Sequence, residues 1–139
     1  MLEDPFGTNP LTRKIIGCGI EVHTWIGPGV FENVYFECLD YELRGQGLHV
    51  ELQRAVPIVY RGVPLKSRYY IDMIVEDIVI VELKAVSRLA EIHRQQLLTQ
   101  LKLTGLPVGL LMNFNVVRLA DGVKRVVHPD YKREETEHQ

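Results

Sequence analysis

Two acidic residues and a lysine occupy positions in this sequence where their side chains could act together. Glu82 and Lys84 lie two residues apart at the end of the apolar run 78–81, and Asp72 lies in the apolar segment before it. Burying a carboxylate beside apolar side chains is costly unless it is paired, hydrogen-bonded or bound to a metal. Because alternate residues of a strand project from the same face, we expect Glu82 and Lys84 to lie side by side.

The position of Asp72 relative to this pair depends on the turn between the two segments. A three-residue turn over 76–78 places Asp72 opposite Glu82 on the same face, whereas a two-residue turn over 76–77 pairs it with Val81. In the first register, two carboxylates and a lysine converge, and such oxygen ligands suit Mg²⁺ or Mn²⁺ in phosphodiester hydrolysis. A structural ion pair beside the core explains the same residues, and the spacing alone does not separate these two interpretations.

A polar stripe on a predicted helix is the next candidate feature. His93, Gln96 and Gln100 fall at positions i, i+3 and i+7 of a segment whose other faces are apolar. Such a stripe is either exposed to solvent or directed at the carboxylates from a helix packed on the sheet.

The periodicity of the whole sequence predicts the element order α-α-β-β-β-β-α-β-β, a mixed β-sheet flanked by helices. The first helix starts near Asn9 or Thr12, and Gly27-Pro28-Gly29 ends it. The third helix is expected to begin at a cap formed by Ser87. Apart from the first, the predicted helices span residues 30–44 and 87–104, and the predicted strands cover 50–52, 56–60, 69–75, 78–84, 108–114 and 123–127.

Length and composition indicate an ordinary globular protein. The chain has 139 residues, of which 46% are hydrophobic and 24% are charged. These values predict one domain over residues 1–139, with a loose N-terminal arm at 1–8 and a loose polar tail at 129–139. No apolar run reaches the roughly 18 residues of a membrane helix, no secretory signal is evident, and Cys18 and Cys38 are expected to be free thiols. We therefore expect a cytoplasmic protein without a membrane partner.

Charge is unevenly distributed along the chain, although the net charge is only −2. Residues 1–50 hold seven acids and three bases, whereas residues 51–133 hold eight acids and thirteen bases. The basic part could face phosphate groups, but a mixed, solvated surface accounts for it equally well.

Several blocks of the sequence, in order from Leu11 to Val127, resemble the GxxExxY proteins, a group placed in the PD-(D/E)XK nuclease superfamily. Residues 29–35, GVFENVY, fit the pattern that names the group. The likeness extends to the blocks KIIGCGIEVH, YIDMIVED followed by VIVELKAV, HRQQLLTQLKLTG and GLLMNFNV.

This resemblance implies an α/β fold with a restriction-endonuclease-like PD-(D/E)XK core and two N-terminal helices. It implies that Asp72 and Glu82 bind the metal, that Lys84 is the catalytic lysine, and that Glu32 is a third metal ligand. It also implies that Gln96 reaches toward the site from the third helix.

The sequence departs from the expected pattern at one position of the third helix. Gln100 stands where a tyrosine is expected in a Q-x-x-x-Y arrangement. A glutamine can donate to phosphate but cannot stack on a base, so Gln100 is a candidate substrate-binding residue. His93, which matches a position of the family pattern, is a second candidate. We expect Tyr35 to pack in the core with its hydroxyl hydrogen-bonded nearby.

The leading hypothesis is a Mg²⁺-dependent or Mn²⁺-dependent nuclease that hydrolyses phosphodiester bonds by direct attack of water, with DNA favoured over RNA. One alternative is a non-catalytic binding or assembly protein built on the nuclease fold. Another is a nuclease subunit that needs a partner, which a hydrophobic surface around the first two helices would favour. A homodimer is also plausible, because one small domain offers little area for holding a duplex.

Overall fold

The computed structural model describes residues 8–131 of the chain. Two helices come first, three strands follow, and a third helix connects them to the last two strands. The elements are α1 (Asn9–Ile26), α2 (Glu32–Gly45), β1 (Val50–Tyr60), β2 (Val63–Val75), β3 (Val79–Lys84), α3 (Glu91–Thr104), β4 (Val108–Asn113), a 3₁₀ helix (Leu119–Gly122) and β5 (Val123–Val127).

The five strands form one sheet in the order β1-β2-β3-β4-β5. Neighbouring strands are antiparallel except β3 and β4, which are parallel and are joined by α3. A parallel pair needs a crossover of this kind, and the crossover helix covers one face of the sheet.

Helices cover both faces of the central strands, which explains why β3 and β4 are almost entirely buried. One apolar cluster lies between the sheet and α1 and α2 and contains Ile15 and Leu39. The other lies between the sheet and α3 and contains Leu97 and Leu101. The predicted α/β class, a mixed sheet flanked by helices with two helices at the N-terminal end, is confirmed.

The prediction of four strands before α3 was wrong, because two of them form the single strand β1. The charged Arg54 interrupts the apolar alternation that we used to define strands, and its neighbour Gln53 has a φ of 56°. Pairing with β2 nevertheless continues on both sides, through Leu52 with Met73 and Arg54 with Ile71. β2 in turn begins at Val63, well before the predicted start.

Ser87 does not cap α3, because the helix begins four residues later at Glu91. Its first turn is instead closed by the backbone N–H of Ala90, which donates to Nδ1 of His93 at 2.9 Å. The predicted start of α1 is confirmed: the helix begins at Asn9, with Pro10 in its first turn.

The predicted loose arm and tail lie mostly outside the described residues. Among the overlapping residues, Thr8 is buried and accepts a hydrogen bond from Arg125, and residues 129–131 have helical backbone. Over residues 8–131, no helix has the length and apolar character required to cross a bilayer.

Candidate active site

Glu82 and Lys84 lie together at the carboxyl end of β3. Glu82 is only 8% exposed, as expected for a strand with helices on both faces. Its Oε2 accepts a hydrogen bond from Nε2 of Gln100 at 3.0 Å, and its Oε1 lies 3.5 Å from Nζ of Lys84. The buried carboxylate therefore has both a hydrogen-bond donor and a positive charge beside it, which offset the cost of burying it.

The register of the β2–β3 hairpin is the one that brings Asp72 toward this pair. Val75 pairs with Val79, so the turn takes the three residues 76–78, and Ile74 pairs with Ile80. The pairing ends there, and the same register continued by two residues would align Asp72 with Glu82. The half-buried Asp72 accepts a hydrogen bond at Oδ1 from Nε2 of Gln53 at 3.1 Å.

Glu32, the first residue of α2, brings a third carboxyl group into the electrostatic range of the same residues. The protein partly covers this carboxyl group at the surface, and this desolvation raises its pKa above the ordinary value. The charge of Lys84 lowers the pKa, whereas the negative charges of Glu82 and Asp72 raise it further. The charges of Asp72, Glu82 and Lys84 on the hairpin therefore all affect the carboxyl group of Glu32 at the start of α2.

The hydroxyl group of Tyr35 holds the loop that precedes Glu32. Its hydroxyl donates to the carbonyl oxygen of Gly27 at 2.6 Å and accepts from the backbone N–H of Val30 at 3.4 Å. Its ring is fully buried and stacks on Phe114 with centroids 4.6 Å apart. The predicted packing role with a nearby hydrogen bond is confirmed.

Helix α3 places its three candidate residues in different surroundings. Gln100 is buried and contacts Glu82, so it lies beneath the carboxylate rather than on the surface. Gln96 is exposed, and its side chain makes no hydrogen bond within residues 8–131. His93 is half-buried, and its Nδ1 closes the first turn of its own helix.

Three residues that the sequence analysis missed support these side chains. Gln53 contacts Asp72, and Tyr69 accepts a hydrogen bond from Gln100 at 3.4 Å. The buried Asn113 pairs with Lys84 in the parallel register. Its side-chain amide accepts a hydrogen bond from the N–H of Val86 and donates one to the carbonyl oxygen of Val86. A polar residue that ends an apolar strand was the signal that identified Glu82, and it also applied to Asn113.

The acidic residues fit a hard divalent cation by donor type. All three carboxyl groups offer only oxygen, the donor that Mg²⁺ and Mn²⁺ prefer. In addition, the buried Oε1 of Gln100 has no hydrogen-bond partner among the described residues, which leaves an acceptor beside Glu82 for a polar group. In the present arrangement, however, no three acidic, histidine or cysteine side chains of residues 8–131 are close enough to form a metal site.

Comparison with known proteins gave one match. A family model described as the PD-(D/E)XK nuclease superfamily matches residues 9–126, which run from the start of α1 into β5 and include all three helices. Neither the curated proteins nor the solved structures gave a match. The match covers most of the chain and agrees with its mixed sheet and flanking helices, so this protein belongs to the PD-(D/E)XK nuclease superfamily.

Proposed function

We propose that this protein is a metal-dependent nuclease that hydrolyses phosphodiester bonds, with DNA as the preferred substrate, by direct attack of water. The observation that carries the proposal is the pair formed by the buried Glu82 and Lys84, 3.5 Å apart at the end of β3, in a chain that matches the nuclease superfamily over residues 9–126. Three acids and a lysine, from two segments far apart in the sequence, lie in one electrostatic environment. A structural ion pair would require only Glu82 and Lys84.

Each acid has a proposed role as a metal ligand. Glu32, Asp72 and Glu82 would hold Mg²⁺ or Mn²⁺ through their carboxylate oxygens, which requires their side chains to come closer together than in the present arrangement. A divalent cation bound there supplies charge stabilisation at the phosphate and lowers the pKa of water. Gln100 and Gln53 keep two of these carboxylates in place by their hydrogen bonds.

Lys84 is the proposed catalytic lysine. Its ammonium group lies at the end of β3 beside Glu82, where it can orient the attacking water and neutralise charge that develops on the phosphate. Gln96, exposed one turn before Gln100, is proposed to contact the reacting phosphate, and His93 to contact the substrate nearby. We propose that Gln100 assists by positioning Glu82, since its amide is buried beneath that carboxylate.

Two finer assignments belong to the same proposal. We place the chain in the GxxExxY group, which is supported by residues 29–35 and by the link between Tyr35 and the loop before Glu32. We also propose a cytoplasmic location, which is supported by Cys18 and Cys38 being free thiols.

A cleavage assay tests this function directly. The purified protein is incubated with single-stranded, duplex and branched DNA and RNA in Mg²⁺, Mn²⁺ or EDTA, beside the double variant Asp72→Ala/Glu82→Ala. We expect cleavage that needs the metal and is absent in the double variant. The matched control, Glu37→Ala/Asp121→Ala, removes two exposed acids elsewhere and should cleave like the unmodified protein.

Two other outcomes have distinct meanings. Absence of cleavage together with absence of metal binding at millimolar concentration, measured by calorimetry, would favour the non-catalytic scaffold. Metal binding without cleavage would favour a nuclease subunit that needs a partner.

The partner-dependent subunit is a second candidate function because α1 and α2 present aromatic side chains to solvent. Trp25, Phe31 and Tyr41 are 79%, 83% and 77% exposed, respectively. Val22, Trp25, Ile26, Cys38 and Tyr41 line an adjacent groove of about 330 Å³. Light scattering across a range of protein concentrations tests for a homodimer, and the double variant Trp25→Ser/Tyr41→Ser should then shift the equilibrium to monomer.

A further inference from the structure

The β1–β2 hairpin extends beyond the body of the protein. Residues 59–68 are all exposed, although both strands remain paired to the tip, where Tyr60 pairs with Val63. Arg61 and Gly62 form the two-residue turn with φ values of 52° and 79°, the positive angles of a tight hairpin turn. Residues 57–70 therefore form a two-stranded ribbon with a register shift between Pro57 and Val59, and among residues 8–131 no further strand pairs with its tip and no helix covers it.

The charge of this ribbon differs from that of the whole chain. Residues 52–71 contain four basic residues and no acid, whereas the protein has a net charge of −2. Arg54, at the base, pairs with Glu51 and Asp77, both at 2.5 Å. The other three bases, Arg61, Lys66 and Arg68, are exposed and form no ion pair within residues 8–131.

Exposed aromatic and apolar side chains lie between these bases. Tyr60 and Tyr70 are 62% and 56% exposed, and Val59, Val63 and Leu65 are also exposed. Side chains of this kind are costly to leave in water, and in a major groove apolar side chains contact the methyl group of thymine while a basic patch faces the phosphates.

The ribbon leads directly to the candidate active site. Arg68 and Asp72 are four residues apart on the same strand, which corresponds to roughly 13 Å at the usual rise of a strand. The ion pairs of Arg54 with Glu51 and Asp77 join the base of the ribbon to the β2–β3 turn. A polyanion bound along the ribbon would therefore pass close to the carboxylates.

We propose that the ribbon over residues 57–70 is an arm that binds the major groove of B-form duplex DNA and delivers the adjacent backbone to the site. This inference rests on the proposed nuclease function and names its substrate. The major groove of B-form DNA admits a two-stranded β-ribbon, and Arg61, Lys66 and Arg68 contact phosphates there. The major groove of an A-form RNA duplex is too narrow and deep for side chains to read, so the arm discriminates against RNA duplexes.

Binding is tested in the Asp72→Ala/Glu82→Ala background, where cleavage does not interfere. Fluorescence anisotropy measures the affinity for a labelled DNA duplex, the RNA duplex of the same sequence and the single DNA strand, over a series of salt concentrations. The arm variant is Arg61→Gln/Lys66→Gln/Arg68→Gln. The control variant, Arg13→Gln/Lys14→Gln/Lys102→Gln, removes the same charge from exposed residues of α1 and α3.

We expect the arm variant to bind duplex DNA at least ~10-fold more weakly and to reduce the slope of log affinity against log salt by about 2.7, or 0.9 for each lost phosphate contact. The control variant should bind duplex DNA with an affinity within about 2-fold of that of its parent. The parent should bind the RNA duplex at least ~10-fold more weakly than the DNA duplex. A charge-preserving variant, Arg61→Lys/Lys66→Arg/Arg68→Lys, should retain most of the affinity. This result would show that the arm variant loses affinity because its charges are removed, and not because three substitutions disturb the fold.

Any of three results would contradict the proposed role of the arm. These are equal losses of DNA affinity in the arm and control variants, tighter binding of the single strand than of the duplex, and an RNA duplex bound as tightly as the DNA duplex. Failure of the arm and failure of the nuclease function remain distinguishable. If the protein binds duplex DNA through the arm but cleaves no substrate, the nuclease function is contradicted and the binding role of the arm is supported. Metal-dependent cleavage that persists with unchanged binding in the arm variant would contradict the arm alone.

Discussion

Nε2 of Gln100 on α3 donates a hydrogen bond to Oε2 of Glu82 on β3 at 3.0 Å, and both side chains are buried. The bond joins the crossover helix to the strand that carries the central carboxylate. It crosses the region between α3 and the sheet that is otherwise filled by apolar side chains, including Leu97 and Leu101.

Loss of this donor should destabilise the protein. We expect Gln100→Leu to lower the free energy of unfolding by roughly 1–3 kcal/mol, because a buried carboxylate then lacks its hydrogen bond. Urea denaturation followed by circular dichroism measures the change. Gln96→Leu is the matched control on the same helix, and its exposed site predicts a change within about 0.5 kcal/mol. Equal effects of the two substitutions would show that the bond to Glu82 does not stabilise the fold.

Substitution of Lys84 should separate chemistry from metal binding. We expect Lys84→Met to reduce the rate of cleavage by about 10²–10³-fold, the usual effect of removing one group that stabilises the transition state. The three carboxylates remain, so calorimetry should show that Mn²⁺ still binds. Lys124→Met, at an exposed residue of β5, is the control and should leave the rate unchanged. Loss of Mn²⁺ binding in Lys84→Met would instead assign the lysine a structural role.

The ion pairs at the base of the hairpin should make stability depend on pH. The hydrogen bonds from Arg54 lower the pKa of Glu51 below its ordinary value of 4.5. A lowered pKa in the folded state means that the pair stabilises the protein above pH 4.5 and that this stabilisation is lost as the pH falls through the lowered pKa. Glu51→Gln should therefore reduce stability at pH 7 by at most about 0.5 kcal/mol, since the side chain is partly exposed.

Urea denaturation of Glu51→Gln and the unmodified protein at pH 7 and at several values below 4.5 tests this dependence. The difference between the two proteins should shrink steadily toward low pH. Glu37→Gln is the control, because Glu37 is exposed and forms no ion pair within residues 8–131. A difference that stays constant with pH would show that Glu51 acts through packing rather than through its charge.

The sequence predicted the central part of the site because the signals there are local. A carboxylate at the end of an apolar run identified Glu82. The sequence left a two-residue and a three-residue turn open, and the hairpin adopts the three-residue turn. Gln53 and Tyr69 were missed because their partners, Asp72 and Gln100, lie 19 and 31 residues away. No periodicity connects such residues, since their contacts arise only when strands and helix pack together.

The same limit applies to the hairpin arm. The sequence showed an excess of bases after residue 50, but only the fold shows that residues 59–68 project from the body while Arg54 is neutralised at the base. Likewise, the predicted stripe on α3 does not act as one surface. Gln100 is buried, Gln96 is exposed, and His93 closes its own helix.

Tyr35 links the stability of the core to the proposed metal site, and its hydroxyl can be removed without disturbing the ring. Tyr35→Phe keeps the stacking on Phe114 but loses the hydrogen bond to the carbonyl of Gly27. We expect the free energy of unfolding to fall by roughly 0.5–1.5 kcal/mol. We also expect a severalfold weaker affinity for Mn²⁺, because the loop that positions Glu32 is then less firmly held.

Denaturation and calorimetry on the same samples measure both effects. Tyr41→Phe, on the same helix but with its side chain 77% exposed, is the control and should change neither quantity. A Tyr35→Phe protein that loses stability but binds Mn²⁺ as before would mean that the hydroxyl stabilises the core without positioning Glu32. A parallel loss of stability and affinity would mean that the spacing of Gly29, Glu32 and Tyr35 serves to hold a metal ligand at the start of α2.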